Sequence, residues 1–284
     1  MKELLYFAPK TMNEALKLLA RHKKKIIPLA GGTDLVPKIN DHQLRPDMLL
    51  YVGKLDLDYI KLKKGKLLIG ALTSWSKLAS NSYIAKEVSA LHQAADIASS
   101  IAVKTLGTIG GNLGTASPAG DLITPLLVME AQVCLAKTGG KRLVPLNEFF
   151  VGPGETARKP DELIIELQVP LKKGKSVFLR IGRRKAMTLS VANVAVRVEM
   201  VGKSCKEARI ALGAMAPTPM RCLKAEDMLK DVTVDQDLIS KCAAKAVEES
   251  KPINDGRASA WYRKKVASVL VSRALAQACS IPPM

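Results

Sequence analysis

Residues 108–121 read TIGGNLGTASPAGD, and no other stretch of the chain is as informative about its structure. Two adjacent glycines, Gly110 and Gly111, stand between Thr108 and Asn112, and glycine adopts backbone conformations that other residues avoid. A backbone that curls at such a pair directs several N–H groups at one point, and this concavity binds an anion without any charged side chain. The stretch therefore predicts an anion-binding loop.

A second Gly-Gly segment, PLAGGTDL, occupies residues 28–35 and overlaps the apolar run 26–30. Such a run predicts a short strand, and parallel sheets bind ligands at the carboxyl ends of their strands. Each segment by itself is more typical of a tight turn. Two of them in one chain, both with polar flanks, favour two halves of a cradle for a diphosphate.

The two segments resemble those of the FAD-binding, or medium, subunit of the molybdenum hydroxylases. That family includes xanthine dehydrogenases, carbon monoxide dehydrogenase, nicotinate dehydrogenase and 4-hydroxybenzoyl-CoA reductase. The resemblance covers essentially all 284 residues and is strongest at residues 30–35 and 108–121. It implies an α+β fold, with a PCMH-type FAD-binding domain of two subdomains followed by a smaller α+β domain of the CO dehydrogenase flavoprotein type.

The pattern along the chain agrees with a small βαβ unit over residues 1–58. Residues 11–14 read TMNE, a capping box in which the side chains of Thr11 and Glu14 bond free backbone amides at the start of a helix. The basic run 21–25 suits the negative end of that helix dipole. Strands are predicted at residues 26–30 and 48–52.

Residues 59–175 are predicted to form a second, α+β subdomain. Two apolar runs separated by Lys-Lys-Gly indicate a hairpin. Alanine-rich and serine-rich stretches with helical spacing indicate helices. The predicted strands are 60–62, 66–69, 133–136, 142–144 and 163–169, and the predicted helices are 73–80, 82–100 and 121–130.

The segment 170–175, PLKKGK, predicts a linker, and residues 176–284 are predicted to form a separate α+β domain. Apolar and alternating runs indicate three antiparallel strands, and helical spacing indicates three helices after them. The predicted strands are 177–181, 191–200 and 208–214, and the predicted helices are 221–229, 235–250 and 259–279.

Composition excludes several classes of protein. The five cysteines and three histidines are scattered, so they predict no metal site and no covalent catalysis. No leader-like or membrane-spanning apolar run occurs, which predicts a soluble, cytoplasmic protein. The formal charge of +18 invites a nucleic-acid interpretation. However, the charge is spread along the chain, and aromatic residues for base stacking make up only 4%.

The resemblance assigns residues to a non-covalent FAD, and no His or Cys stands beside either glycine segment for covalent attachment. It implies that Asp121 contacts the sugar portion of the flavin and that Ile164 binds through its main chain. Arg180 lies where relatives carry a lysine near the flavin, where a cation would stabilise a reduced anionic flavin. Lys185 belongs to the same basic segment, for which a solvated surface run is the alternative. The implied cofactor-binding residues are Pro28, Leu29, Ala30, Gly31, Gly32, Thr33, Asp34, Leu35, Thr108, Ile109, Gly110, Gly111, Asn112, Asp121, Ile164, Arg180 and Lys185.

The chain also departs from the family pattern. Lys104 and Thr105 stand where relatives often have Arg-Asn before the second glycine segment, and Thr188 stands where many have aspartate. By the resemblance these positions lie near the cofactor, so the departures would affect the flavin potential or the contacts of the electron acceptor. They leave the glycine segments unchanged.

The resemblance further implies partner subunits. A large subunit would hold molybdopterin and oxidise the substrate, and a small subunit would hold two two-iron clusters. Electrons would pass through the clusters to FAD on this chain and leave to NAD or another acceptor, in a complex that is a dimer of heterotrimers. The alternatives are a flavin-free structural subunit of the same complex and, third, a basic protein that binds nucleic acid or a membrane surface.

Overall fold

The computed structural model describes residues 4–184 and 187–282, and the first sheet in it is parallel. Its strand order is β1-β3-β2, so β3 lies between the other two. The capping box forms, since the Glu14 amide donates to Thr11 Oγ1 and the Thr11 amide donates to Glu14 Oε2, both at 3.3 Å. The elements are β1 (Leu5–Phe7), α1 (Met12–His22), a 3₁₀ turn (Lys23–Lys25), β2 (Ile26–Leu29), α2 (Leu35–Asn40) and β3 (Met48–Tyr51).

The second sheet is antiparallel and has the order β4-β5-β10-β6-β7. Helices α3 to α8 lie between β5 and β6 in the chain, and a short hairpin pairs β8 with β9. The elements are β4 (Ile60–Lys63), β5 (Lys66–Gly70), α3 (Trp75–Ser80), α4 (Ser82–Glu87), α5 (Ser89–Ile97), α6 (Ile101–Leu106), α7 (Ile109–Thr115), α8 (Ile123–Val128), β6 (Gln132–Lys137), β7 (Gly140–Pro145), α9 (Leu146–Phe149), β8 (Phe150–Gly152), β9 (Glu155–Thr156) and β10 (Leu163–Pro170).

The third sheet is also antiparallel, with the order β11-β12-β13-β14 and with β15 paired to β13. The three long strands and three helices predicted for this part are confirmed, and β14 and β15 are two-residue additions. The elements are β11 (Lys175–Gly182), β12 (Ser190–Val201), β13 (Ser204–Gly213), β14 (Met220–Arg221), α10 (Leu223–Asp227), β15 (Val232–Thr233), α11 (Gln236–Glu249) and α12 (Ala260–Cys279).

The structure corrects two sequence predictions about elements. The helix predicted over 82–100 is interrupted at Val88, whose φ of −137° and ψ of 53° leave the helical region, and it ends before Ala98. The second glycine segment, predicted as a loop, begins helix α7. The predicted domain boundaries at residues 58 and 175 stay predictions.

The hydrophobic core forms three clusters of buried residues. One lies beneath the first sheet, one around the second sheet and its helices, and one between the third sheet and its helices α10 to α12. The second cluster also includes Phe178, Ala195 and Ala211 from the third sheet. The third sheet therefore packs with one part of its surface on the central helices. Among the described residues, no helix is long and apolar enough to cross a membrane.

Glu130 ties the central part of the chain to the third sheet. Its carboxylate lies 2.9 Å from Lys172 Nζ, 3.2 Å from Arg209 Nε and 3.6 Å from Arg221 Nη1. Burial by itself raises the pKa of Glu130, but the hydrogen bonds and charges of Lys172 and Arg209 outweigh it and lower the pKa to about 2 from the ordinary 4.5. The ionised carboxylate is thus favoured in the folded protein.

Replacing Glu130→Gln is expected to reduce the free energy of unfolding at neutral pH and to flatten its dependence on pH. A carboxyl whose pKa is lower in the folded than in the unfolded state stabilises above pH 4.5, and this contribution disappears as the pH falls towards 2. Urea unfolding from pH 7 to pH 2 measures the difference. Glu148→Gln, at an exposed position without an ion pair in the described chain, is the control. Parallel pH profiles for Glu130→Gln and the wild type would contradict the assignment.

Candidate functional site

A cavity of about 800 Å³ lies where the first sheet, the central helices and the start of the third sheet meet. Both glycine segments contribute to its wall, although 76 positions separate Gly32 from Thr108 in the sequence. The structure therefore brings most of the predicted site residues together around one space. Those that line it are Pro28, Leu29, Ala30, Gly31, Gly32, Thr33, Asp34, Leu35, Thr108, Gly110, Gly111, Asn112, Asp121 and Ile164.

The structure places two of the predicted site residues differently and does not describe a third. Ile109 is fully buried in the central hydrophobic cluster, because its helix turns that side chain away from the cavity. Arg180 lies behind Asp121 and is absent from the described lining. Lys185 lies outside the described residues.

The first glycine segment has the geometry of an anion-binding loop. Strand β2 ends at Leu29, helix α2 begins at Leu35, and Gly32 adopts a positive φ of 71°, which glycine accepts at low cost. Within the described chain, the backbone amides of residues 30–34 donate no hydrogen bond. A row of free amide donors at the carboxyl end of a parallel strand suits an anionic ligand.

Gly31 allows this segment to approach the central helices. A Cβ atom at Gly31 would lie 1.7 Å from the carbonyl oxygen of Leu106, a distance no side chain could accept. A side-chain contact fixes the same approach, because Thr115 Oγ1 donates to Asp34 Oδ2 at 3.2 Å. Lys38 Nζ also donates to that oxygen, at 2.7 Å. The first segment is thus locked against α6 and α7.

The prediction of a similar nest of free amides in the second segment is wrong. Thr108 is the N-cap of α7, and its hydroxyl accepts from the Gly111 amide at 3.0 Å. The amides of Ile109, Gly110 and Asn112 donate to the carbonyls of Thr73, Ala71 and Thr108 at 2.9–3.0 Å. These donors hold the helix in place and are not available to a ligand.

The two glycines of the second segment have different roles. A Cβ at Gly110 would lie 2.7 Å from both Cβ and the carbonyl oxygen of Ala71, so Gly110 permits close packing. A Cβ at Gly111 would meet only Thr108 Oγ1 within 4 Å, at 2.9 Å. The remaining space beside Gly111 is open, and Gly111 lines the cavity.

Asp121 forms a buried polar network at the cavity wall. Its Oδ2 accepts from Arg180 Nη1 at 2.5 Å, and its Oδ1 accepts from Ser190 Oγ at 2.6 Å and from Asn193 Nδ2 at 3.0 Å. Asn193 Oδ1 in turn accepts from Thr124 Oγ1 at 2.8 Å. Burial raises the pKa of Asp121, whereas Arg180, Ser190 and Asn193 act in the opposite direction. A carboxylate offers about four acceptor positions, so one position on Oδ2 has no donor among the described residues.

The network changes the interpretation of Arg180. Its guanidinium donates to Asp121 and, at 3.2 Å, to the carbonyl of Thr188, and the Arg180 side chain is only 6% exposed. Arg180 therefore positions Asp121 and the Thr188 segment, and Thr188 itself lines the cavity. The other departures from the family pattern face away from the described lining: Lys104 Nζ donates to the Asp96 carbonyl and Thr105 Oγ1 to that of Ile101.

Several lining residues were missed by sequence reasoning, and three of them come from segments with no motif. Trp75 begins α3, Ser100 caps α6, and Arg158 follows β9. A structural signal identifies Trp75, whose Nε1 is buried without a hydrogen-bond partner in the described chain, and Oδ1 of the predicted Asn112 is in the same situation. Buried polar groups are usually paired. The other missed residues include Ser99, Val103, Gly107, Thr115, Ser117, Gly154, Met187 and Leu189.

The chemistry available at the cavity is binding and orientation. Among the described residues, no group of three or more His, Cys, Asp or Glu side chains is arranged to hold a metal ion. The ionisable side chains on the described lining are Asp34, Lys38, Asp121 and Arg158, and the first three are already in ion pairs. The arrangement suits a ligand that brings its own reactive group and an anionic part.

Comparison with known proteins agrees with this geometry. The family described as the FAD binding domain in molybdopterin dehydrogenase matches residues 2–172, and the CO dehydrogenase flavoprotein C-terminal domain matches residues 178–278. The glyceraldehyde dehydrogenase medium chain of Sulfolobus acidocaldarius is 32% identical over 274 residues, which are 96% of this chain and 97% of that relative. The nicotinate dehydrogenase FAD-subunit of Eubacterium barkeri is 37% identical over 240 residues, which are 81% of this chain and 80% of that relative.

Solved structures show the same fold. A chain of carbon monoxide dehydrogenase from Hydrogenophaga pseudoflava superposes with a TM-score of 0.94 at 28% sequence identity, over 98% of this chain and 98% of that chain. The α+β architecture predicted from the sequence is thereby confirmed. With a family match over more than half of its length and relatives above 30% identity, the chain belongs to the FAD-binding medium subunits of the molybdenum hydroxylases, an oxidoreductase family.

Proposed function

We propose that FAD binds non-covalently in the cavity between the two glycine segments, and that this chain passes electrons from iron–sulfur clusters of a partner subunit to NAD or another acceptor. The observation that carries the site is the row of free amides at residues 30–34, at the end of β2. Backbone amides in a fixed loop hold a diphosphate without the cost of ordering side chains.

The rest of the cavity wall fits the same cofactor. Asp121 keeps one acceptor position for a sugar hydroxyl. Asn112 Oδ1 is buried without a donor in the described chain, and a bound cofactor would supply one. The open side of Gly111 leaves room for the ligand next to α7. The proposed binding residues are those of the predicted set that line the cavity, with Arg180 acting through Asp121.

The residues of this chain bind, orient and shield the cofactor. Bound FAD supplies the electron-transfer chemistry, and no side chain of the described lining is arranged as a nucleophile or a metal ligand. The Asp121 network fixes one wall of the site by joining the central helices to the third sheet. The protein thus contributes a rigid binding site whose electrostatics tune the flavin.

The assembly is proposed from the relatives. The relative from nicotinate dehydrogenase is described as its FAD-subunit, and the relative from carbon monoxide dehydrogenase as its medium chain. Both descriptions are those of one subunit in a larger enzyme. By the family pattern, the partners of this chain are a large molybdopterin subunit and a small subunit with two two-iron clusters, and the complex is a dimer of heterotrimers. Substrate oxidation then occurs on the large subunit.

The purified chain is expected to be yellow and to release FAD on denaturation, because its contacts to the cofactor are non-covalent. Co-purified with the two partner subunits, its flavin should be reduced by the substrate of the complex. In the isolated chain, the flavin should be reduced by dithionite but not by that substrate. Stopped-flow absorbance then tests the electron acceptor, by measuring whether NAD reoxidises the reduced flavin. A protein that stays colourless with excess FAD would favour a flavin-free structural subunit. Salt-sensitive micromolar binding of DNA would favour the nucleic-acid alternative.

Gly111→Val is expected to abolish FAD binding while leaving the protein folded. The new side chain enters the open space beside α7 and displaces the Thr108 hydroxyl, which lies 2.9 Å from the position of the added Cβ. Fluorescence titration with FAD measures the loss, and thermal unfolding of the ligand-free protein monitors the fold. Gly140→Val, in an exposed strand where an added Cβ meets nothing within 4 Å, is the matched control. Wild-type affinity in Gly111→Val would place the cofactor elsewhere.

Substitution of Asp121 is expected to lower both the affinity for FAD and the stability of the fold. Asp121→Asn keeps the shape and is expected to weaken FAD binding by about 1–3 kcal/mol, the usual range for a polar contact to a buried group. Both substitutions leave the buried guanidinium of Arg180 without a carboxylate, and Asp121→Ala, which also removes the acceptor oxygen, is expected to cost about 3–5 kcal/mol of folding free energy. Isothermal titration and urea unfolding report the two effects, with the exposed Asp227→Ala as the control. Full FAD affinity in Asp121→Asn would remove Asp121 from the site.

A further inference from the structure

The charges around the cavity are nearly all paired within the chain. Asp34 pairs with Lys38 at 2.7 Å, and Asp121 pairs with Arg180 at 2.5 Å. Arg158 is the remaining ionisable side chain on the described lining, and it forms no ion pair with any carboxylate of the described chain. The positive charge of Arg158 is therefore not compensated by a direct contact.

Two acidic residues, Glu162 and Asp161, act on Arg158 through their charges, and Glu162, which has the larger effect, is already engaged elsewhere. Both oxygens of Glu162 accept hydrogen bonds from Arg142, at 2.7 and 2.9 Å, and the Lys159 amide donates to Oε2 at 2.7 Å. The hydrogen bond from Arg142 is the main cause that lowers the pKa of Glu162. Glu162 is thus a fixed anion whose hydrogen-bonding partner is Arg142.

The backbone holds the Arg158 guanidinium in position. Nη1 donates to the carbonyl of Glu162 at 2.8 Å and to that of Lys159 at 3.2 Å, while Nε and Nη2 have no partner among the described residues. Burial lowers the pKa of Arg158 from its ordinary value, and a guanidinium nevertheless stays charged in proteins. Nε and Nη2 are therefore the donors of this half-buried guanidinium that stay available to a ligand.

A ligand in this cavity needs such a donor. The four amides of residues 109–112 are consumed by the fold, so the second glycine segment offers a diphosphate fewer donors than the first one does. Helix α7 contacts both the first glycine segment and strand β10. Thr115 donates to Asp34 in that segment, and a Cβ at Gly114 would lie 3.7 Å from Ile164 Cδ1 in β10. Arg158 lines the same cavity as both segments, and its Nη1 donates to the carbonyl of Glu162, two residues before Ile164.

We propose that Arg158 is a cofactor-binding residue that donates from Nε and Nη2 to anionic diphosphate oxygens of the bound dinucleotide, an inference that rests on the proposed binding of FAD in this cavity. The planar guanidinium presents two parallel N–H groups, which match a phosphate better than a single point charge does. Arg158 thus supplies the hydrogen bonds to the diphosphate that free backbone amides of the second glycine segment would otherwise donate.

The test uses Arg158→Gln, which removes the charge but keeps an amide able to bond the Glu162 carbonyl. A contact to the diphosphate predicts a loss of about 10- to 100-fold in affinity for FAD and for ADP, as expected for a charged hydrogen bond. Affinity for riboflavin and adenosine, which carry no phosphate, should change less than twofold. Arg158→Lys keeps the charge without the planar pair of donors and should lie in between. Lys159→Gln, at the exposed neighbouring cation, is the control and should match the wild type.

Titrations at two salt concentrations add a second measurement, because removing a phosphate contact reduces the salt dependence of binding. Wild-type affinity for FAD and ADP in both Arg158 variants would overturn the inference, and so would an equal loss for adenosine, which would indicate a merely structural role. Failure of the wild-type chain to bind FAD would instead remove the proposed function on which the inference rests. Thermal unfolding of each ligand-free variant identifies a folding defect, and Arg158→Lys decides the matter if Arg158→Gln does not fold.

Discussion

The buried carboxylate of Asp121 is the interaction on which the site depends most. It follows α7, yet it is held by Arg180, Ser190 and Asn193, which all belong to the third sheet. A buried carboxylate without these donors would carry a desolvation penalty of several kcal/mol. The third sheet therefore does more than extend the chain, because its side chains supply the donors that hold this carboxylate in the cavity wall and oppose the rise in its pKa that burial causes.

Charge is distributed differently on the surface and in the cavity. The chain carries a formal charge of +18, spread along its length, while the cavity wall is nearly neutral because its ionisable groups pair with one another. Surface charge of this kind affects solubility and association more than the binding of a buried ligand. The exception at the cavity is Arg158, whose two free donors are aligned by backbone carbonyls. Local pairing, and not net charge, thus determines which ligand the site accepts.

Much of the fold follows from local patterns in the sequence. The capping box at Thr11, the strand before the first glycine segment and the long helices near the C-terminus all form, because each depends on neighbouring residues. Most of the predicted site residues also line one cavity. The role of Arg180 and the contribution of Trp75 could not be predicted, since they arise from contacts between segments far apart in the chain.

The two glycine segments show why similar motifs need not do the same work. In the first, no residue before α2 supplies a side-chain cap, and Gly32 at positive φ leaves the amides free. In the second, Thr108 caps the helix and strand β5 is followed by carbonyls at residues 71 and 73 that take two of the amides. The difference is set by which hydrogen-bond acceptors lie nearby, and those come from tertiary structure. Glycine spacing therefore locates the cavity, whereas the donors that reach a ligand are fixed by the residues packed behind each glycine.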